Sequence, residues 1–578
     1  MESLIVKLKN KIVEVLTKTP DTKYDFLLPE TSDESSKMNT FSQEDNEISS
    51  NNSSEKTGIF SVLDKNLEFI KIQYNALINS DVIIREFTLN ARGKQFKAFI
   101  LYIDGMVDTQ LINDFILKPL MLRNAANSYV GEQSRVLSLK NNNKTIIKKV
   151  HKFNLINYID SCLLPQNSVK KAEKFEEIFS GVNSGNCALF VDTINTAFDI
   201  DVKGFMQRNV DTPNNEIVIK GPQEAFVENL RTNTSLLRRI VNNENLIIEN
   251  IEVGKISKTK CAVCYMKNIT NNYLVAEVKY RLNEIDVDTV LSSGELEQLI
   301  VDDSKISIPL ALSTERPDKS CKGLFEGKVV ILVNGSPYAL ILPATYIDFI
   351  ASPEDTNLKP AFSNFLKILR GTSILITLLL PAIWVGITNY HQELIPTELL
   401  YSIIAYREIV PFPMIFELFL MEFSFELIRE AGLRVPSPIG PTIGIVGALV
   451  LGQAAVSASI VSPILIIIIA ITGIASFAIP DFSFGFHIRI TRFIFILLSY
   501  MAGFLGIGLG IFVYLGILCN QKSFGVPFMV PYAPAMSKKG SGFFLPYVWE
   551  HERRPDYLNT KKKKSQEHIS MKWKKNSI

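Results

Sequence analysis

The sequence predicts an α/β N-terminal region of two subdomains joined by a helix, followed by an all-α, polytopic membrane domain of about four to five spans. Three observations carry that prediction. Charged residues are dense up to Lys359 and sparse from there to Tyr532. Within the sparse part, the 46 residues from Val435 to Pro480 contain no Asp, Glu, Lys, Arg or His, which is room for two helices of about 20 residues each across a bilayer core. Within the dense part, short apolar runs alternate with stretches of helical period.

The first 57 residues offer an amphipathic stretch at Leu4 to Leu16 and then a Ser/Asn/acid-rich run from Glu30 to Lys56 with little to bury, so 1–57 reads as a variable, largely disordered leader. The first α/β subdomain takes 58–221, with strands at Gln95 to Asp104, Asn186 to Ile194 and Ala197 to Val202, and a helical stretch from Val107 to Leu122. A connecting helix is expected over 222–242, because Pro222 sits where N1 would fall, Glu224 and Glu228 come early, and Arg231, Arg238 and Arg239 come late. The second subdomain, 243–358, has strands expected at Cys261 to Met266, Leu274 to Tyr280, Lys328 to Val333 and Tyr338 to Leu342, and a helix at Ile285 to Leu299. The membrane domain, 359–534, has clear spans at 371–390, 441–460, 463–479 and 493–518. The helix at 411–430 carries Glu422, Glu426 and Glu430 on one stripe, which fits an interfacial helix, a partly inserted one, or the wall of a wet cavity.

Composition narrows the function classes. A net charge of +2 over 578 residues makes no case for nucleic-acid binding by the whole chain. From Ala535 to Ile578, however, eleven Lys/Arg stand against four Asp/Glu. That segment reads as a basic cytoplasmic tail drawn to anionic lipid, with RNA as the rival partner. The start lacks the apolar core of a signal peptide, so the N-terminal region is expected to stay cytoplasmic. Six cysteines at this length form no disulfide framework. Cys261 and Cys264 form a CxxC on strand-like flanks, which favours a structural pair over a redox site. Thr314 to Asp318 places Glu315 and Asp318 around Arg316, a charged turn whose Arg can clamp carbonyls or carboxylates. The five His are scattered, no phosphate-binding loop is present, and neither an enzyme nor a cofactor is implied.

The membrane part carries the sharper patterns. Gly440, Gly444, Ala448 and Gly452 recur every fourth residue, and Ala502, Gly506 and Gly510 do the same. Such stripes let helices approach closely, within one chain or between copies. The alternative is a narrow conduit lined by these glycines with Gln453, Ser457 and Ser459, fed by an acidic vestibule at Glu422, Glu426 and Glu430.

Five segments together resemble the GerA family of spore germination proteins. They are Lys220 to Arg239 (with Glu228, Arg231 and Asn233), Thr314 to Asp318, Gly327 to Pro337, Val435 to Val456, and Phe524 to Pro531. The resemblance extends from about Phe87 to Pro534. Glu354 to Asn357 lacks the tyrosines of the family's acidic-aromatic stretch, and residues 1–57 match nothing. The resemblance implies an A subunit of a nutrient germinant receptor, multi-pass in the inner spore membrane. It implies a permease-like B subunit and a lipoprotein C subunit as partners, a homo-oligomer, and the B subunit as main germinant binder. Coupling of nutrient sensing to ion release follows, either through an oligomeric ion channel or with this chain as a non-conducting scaffold for B and C.

Overall fold

The computed structural model describes residues 26–30, 58–91, 94–122, 155–166, 168–204, 213, 215–434, 452–536 and 542–565. The first N-terminal unit comprises α1 (Leu63–Gln73), β1 (Val82–Ala91), β2 (Lys94–Ile103), β3 (Val169–Ala172), α2 (Phe175–Asn183), β4 (Cys187–Val191) and β5 (Ala197–Ile200), in the strand order β1-β2-β4-β5-β3. The second comprises α3 (Leu230–Ile240), β6 (Leu246–Val253), β7 (Thr259–Met266), α4 (Asn272–Asn283), α5 (Ser293–Ile300), β8 (Leu312–Thr314), α6 (Pro317–Glu326), β9 (Val329–Val333) and β10 (Ala339–Leu342), in the order β6-β7-β9-β10-β8. Strand for strand the two orders are the same. Every pairing in both sheets is antiparallel, so the alternation of strands and helices comes from helices laid over hairpins and not from parallel crossovers.

Two expectations are corrected here. The stretch Leu274 to Tyr280 is helical, inside α4, because Asn271 caps it by accepting from the Tyr273 N–H and its apolar residues recur at helical spacing. The connecting helix begins only at Leu230, capped by Asn229 accepting from Thr232 N–H. Residues 222–229 are spent on other partners: the Pro222 carbonyl accepts from Arg316, Phe226 N–H donates to the Glu315 carbonyl, and Val227 N–H donates to the Asn233 side chain. A segment whose backbone groups are engaged this way has none left for i→i−4 bonding. Cys261 and Cys264 lie three apart on β7 and so point to opposite faces, each into a different core; both are free.

The C-terminal half is a helical bundle of α7 (Pro360–Tyr390), α8 (Thr397–Ile409), α9 (Met414–Arg434), α10 (Pro463–Phe477) and α11 (Phe482–Asn520). Among the described residues, α7 and α11 are long and apolar enough to cross a membrane. The expected single span at 493–518 is corrected: α11 is a hairpin. Ala502 and Gly503 leave the helical region, Gly503 at φ +59°. The His487 and Tyr514 rings lie 5.8 Å apart, whereas in a straight helix the 27 intervening steps would separate them by about 40 Å. Gly506 and Gly510 are what allow the two arms to meet, since a Cβ on either would collide with the backbone of Leu498 or press on Leu498 and Phe495. Tyr390, at the end of α7, donates to the carbonyls of Tyr500 and Met501 at the hairpin tip.

At the other end the bundle merges with the second unit. One apolar core runs from Leu237 and Leu332 through Phe349 and Ile374 to Phe484 and Leu518. After α11 the chain forms a small ladder of β11 (Lys522–Ser523) and β12 (Val526–Pro527), and Phe524 plugs the second unit's other core. The C-terminal segment is not a free tail over its described part. Tyr557 and Leu558 are buried against Val526 and Val530, and Lys561 donates to the Ile269 and Lys267 carbonyls. Asn559 holds the Leu28 carbonyl, and Asn271 those of Pro29 and Asn559.

Candidate functional site

Five ionisable side chains meet inside the apolar bundle. Glu422, Glu426 and Arg429 come from α9, one helical turn after another; Arg489 and Arg492 come from the first arm of α11. Arg492 Nη2 lies 2.7 Å from Glu422 Oε2 and 3.2 Å from Glu426 Oε1. Arg489 Nη1 donates to Glu426 Oε2 at 3.0 Å, and Arg429 Nη1 to Glu426 Oε1 at 3.1 Å. Arg429 also reaches Ser476 and stacks over the Phe477 ring at 4.7 Å. Glu422 is fully buried and Arg492 is 1% exposed. Burying ions costs several kcal/mol each, and only close, multiply bonded geometry offsets it. In an apolar setting such groups point to function.

The stripe expected as an acidic vestibule lies beside these arginines. Glu422 and Glu426 face arginines of the same chain, and Glu430 has a partner too. Glu422 and Glu426 are therefore matched by cationic side chains of the same chain.

A second constellation joins the bundle to the second unit. Ser307 Oγ lies 2.7 Å from His487 Nδ1, and His487 Nε2 lies 3.1 Å from Tyr514 Oη. One imidazole thus connects the loop before β8 to both arms of the α11 hairpin. Nearby, Asp302 accepts from the Phe524 N–H and pairs with Arg281, which lies 4.3 Å over the Phe524 ring. At the same boundary Glu297 of α5 is pushed up to about 7 by burial and by the Asp481 carboxylate.

The small-residue stripe divides. Gly440, Gly444 and Ala448 lie outside the described residues, as does the Val435 to Pro438 stretch. Gly452 is half-buried, and among the described residues a Cβ there would meet only Ile466 at 3.9 Å. Gln453 and Ser457 are exposed, and Ser459 is half-buried. Gly506 and Gly510 serve the hairpin described above.

The remaining expected residues form a clamp around the linker. Arg316, completely buried, donates Nε and Nη2 to Asp318 at 3.0 and 2.9 Å and to the carbonyls of Glu216 and Pro222. Glu315 Oε1 accepts the N–H groups of Asn215 and Glu216 at 2.6 and 2.8 Å. Asn233 pairs with both backbone groups of Val227. Glu228 is exposed, its carbonyl accepting from Gly335 N–H. Arg231 reaches across to Asp104 of the first unit. Arg489, Arg492, His487, Ser307 and Tyr514 escape sequence reasoning, which reads the arginines only as flanks of a span and the histidine as scattered. Three charged or titratable side chains within six residues of a long apolar run are the signal that marks them.

Comparison with known proteins shows the family of the chain. Residues 68–557 match the family model described as Bacillus/Clostridium GerA spore germination protein. The chain is similar to spore germination protein KA of Bacillus subtilis, 39% identical over 84% of this chain and 85% of that one. It is also similar to the uncharacterized membrane protein YfkQ of Bacillus subtilis, 34% identical over 82% and 88%. Among solved structures it is similar to the N-terminal domain of the A subunit of the Bacillus megaterium spore germinant receptor GerK3, at 29% identity, over 50% of this chain and 98% of that chain, with a TM-score of 0.38.

Proposed function

Because the chain belongs to the Bacillus/Clostridium GerA spore germination family, we propose that it is the A subunit of a nutrient germinant receptor in the inner membrane of the spore. In this reading it couples small-nutrient sensing to ion release, alongside a permease-like B subunit that holds the germinant and a lipoprotein C subunit. The observation that carries it is the Glu422–Glu426–Arg489–Arg492 cluster, buried among apolar helices that share a core with a large N-terminal region. An ion-paired knot in an apolar bundle is an element with two arrangements, paired and parted, and a push from the N-terminal region biases it through Ser307, His487 and Tyr514.

The helix directions support a topology with both ends on one side. α9 begins beside the far end of α7, where Thr388 donates to Met414 Sδ. α10 begins beside α9's first turn, where Glu417 accepts from Ser462 N–H, and both run back together to Arg429 and Ser476. α7, α9, α10 and the two arms of α11 are then five crossings among the described residues. The helix at 411–430 is on this reading a span, and the N-terminal region and tail share the cytoplasmic face.

Homo-oligomers of this subunit would line an ion path between copies. The second reading, a non-conducting scaffold for B and C, is favoured by one observation: the acidic stripe is neutralised within a single chain. Purified chain in potassium-loaded liposomes separates the two. Potassium efflux above that of empty liposomes supports the channel, and efflux at the lipid background supports the scaffold.

A further inference from the structure

The start of α7 and the chain that returns beside it expose a band of apolar rings at one level of the molecule. α7 has 31 residues, about 46 Å of helix, whereas the hydrocarbon core of a bilayer is about 30 Å thick. The surplus lies at its N-terminal end. Lys367 and Arg370 are buried on one face there, and Arg370 Nη1 lies 2.9 and 2.7 Å from the two Asp355 oxygens. Such ions set the edge of the apolar layer near Gly371. The two turns before it therefore stand outside hydrocarbon, and a helix face that met only water would be polar. Instead Phe362, Phe365, Ile368 and Leu369 are 61%, 66%, 49% and 49% exposed.

The returning chain widens the same band. Asn364 bonds both backbone groups of Leu545, accepting from its N–H at 2.6 Å and donating to its carbonyl at 3.1 Å. The Phe543 ring comes within 3.6 Å of where a Cβ on Gly371 would stand. These contacts lay residues 543–545 antiparallel to α7 between Gly371 and Asn364. Phe544 stands edge-on to Phe543 with its own ring exposed. Tyr547, Val548 and Trp549 follow, all exposed, with the Tyr547 and Trp549 rings stacked at 4.7 Å.

Position and charge choose the partner. The band continues from the end of a helix long and apolar enough to cross a membrane, and rings with one polar edge, as in Tyr547 and Trp549, favour the layer between hydrocarbon and water. A contiguous apolar surface of this kind marks a contact site. The hairpin after Trp549, closed by Arg553 and Lys564, exposes Arg553, Lys562, Lys563 and Lys564 against Glu550 and Glu552. Arg554 ties that hairpin to the Phe325 carbonyl at the end of α6. Burial, then the nearby Lys322 of α6 and Lys367 of α7, push the His551 imidazole down. A surplus of cations beside an apolar band matches an anionic headgroup layer. We propose that Phe362, Phe365, Phe544, Tyr547 and Trp549 form an aromatic collar that docks on the anionic lipid headgroups of the leaflet facing the N-terminal region. The collar rests on the reading of α7 as a span, and its test reports the two separately.

The full chain carrying Trp573→Phe keeps two indoles, Trp384 within α7 and Trp549 in the collar; a second chain adds Trp549→Phe, which alters only an exposed ring. Both are placed in nanodiscs of equal phosphatidylcholine and phosphatidylglycerol, with bromine, a short-range quencher, near the top of the acyl chains of one lipid or the other. The difference between the chains is the Trp549 emission. It is expected to fall by about half when phosphatidylglycerol carries the bromine, and at least about twofold less when phosphatidylcholine does. The triple variant Lys562→Gln/Lys563→Gln/Lys564→Gln, which changes exposed side chains only, should make the two lipids equal. Quenching of Trp384 with none of Trp549 overturns the collar and leaves the span; if aqueous iodide also fails to reach Trp549, a protein surface covers the band instead. An unquenched Trp384 removes the span and the collar with it. Equal quenching by the two lipids in the parent, or a phosphatidylglycerol preference that survives the triple variant, overturns the docking on anionic headgroups.

Discussion

The two N-terminal units are wound alike and anchored differently. The second is fused to the bundle: its apolar core continues into α7 and α11, and the chain leaving α11 returns to plug it with Phe524. The first keeps two cores of its own, one on each face of its sheet. Its joints to the rest of the protein are polar. Arg238 of α3 forks onto Asp81 at 2.8 Å through two nitrogens and reaches Asn79 at 3.0 Å; Ser80 N–H donates to the Ile248 carbonyl, and Arg231 meets Asp104. Apolar contact holds over many small displacements, whereas a forked pair is made or broken. The difference ties the second unit to the bundle by a shared apolar core and the first to the second by polar contacts.

Four measurements can break or sharpen that contrast. The largest effect is expected from Arg316→Ala, which leaves Asp318 unpaired and frees the linker carbonyls of Glu216 and Pro222 that Arg316 clamps to the second unit. A loss of about 3–5 kcal/mol, read as a drop in the denaturant midpoint, should fall on the second unit and bundle together. Protection of first-unit amides from hydrogen exchange should stay unchanged, and their coincident loss would mean that the units melt as one. Next comes Arg238→Met, costing about 1–3 kcal/mol because Asp81 keeps some access to water. Here exchange should quicken at residues 79–81 and 246–248 while both sheets stay protected. Arg231→Ala breaks a pair that is well exposed on both sides, and at most about 1 kcal/mol is expected.

The smallest effect is a slope. The Glu297 carboxyl, raised from 4.5 to about 7 in the folded chain, favours the protonated form there. The stability it contributes is complete below the unfolded value and is lost as pH rises through about 7. Glu297→Gln removes that loss, so the variant's melting temperature should gain on the parent's between about pH 5 and pH 8. Parallel melting curves over that range would show that the α5–Asp481 contact opens readily to water.

The same contrast explains what could be read from the chain. The six inner strands, β2, β4, β5, β7, β9 and β10, are legible because strands covered on both faces are near-continuous apolar runs, as in Val329 to Val333. The four strands that escape, β1, β3, β6 and β8, are the edges of the two sheets. They are Val82-Ile-Ile-Arg-Glu, Val169-Lys-Lys-Ala, Leu246-Ile-Ile-Glu-Asn and Leu312-Ser-Thr, where charge and brevity guard the open side and dilute the pattern. In the bundle, the Glu422 and Glu426 stripe is visible at helical spacing. Its arginine partners stand more than 60 residues away on another helix, and no periodicity links them. The reversal at Ala502–Gly503 hides because a single glycine is common in membrane-type helices, and the small residues after it read as a packing stripe whether the partner is another helix or the same one folded back.

One contact has a consequence for the order of synthesis. The second unit starts at Leu230, yet the side chains that finish its surface arrive much later: Phe524 after the last helix of the bundle, then Leu558 and Asn559, which fasten Leu28. A ribosome must have delivered every helix of the bundle before that unit can shut. Until then Phe524's socket, lined by Val263, Leu296 and Ile331, stays open, and a chain stalled partway is marked by an unfilled apolar hole on a region that is otherwise folded. Closure of the second unit thus marks a chain whose helical bundle is already complete.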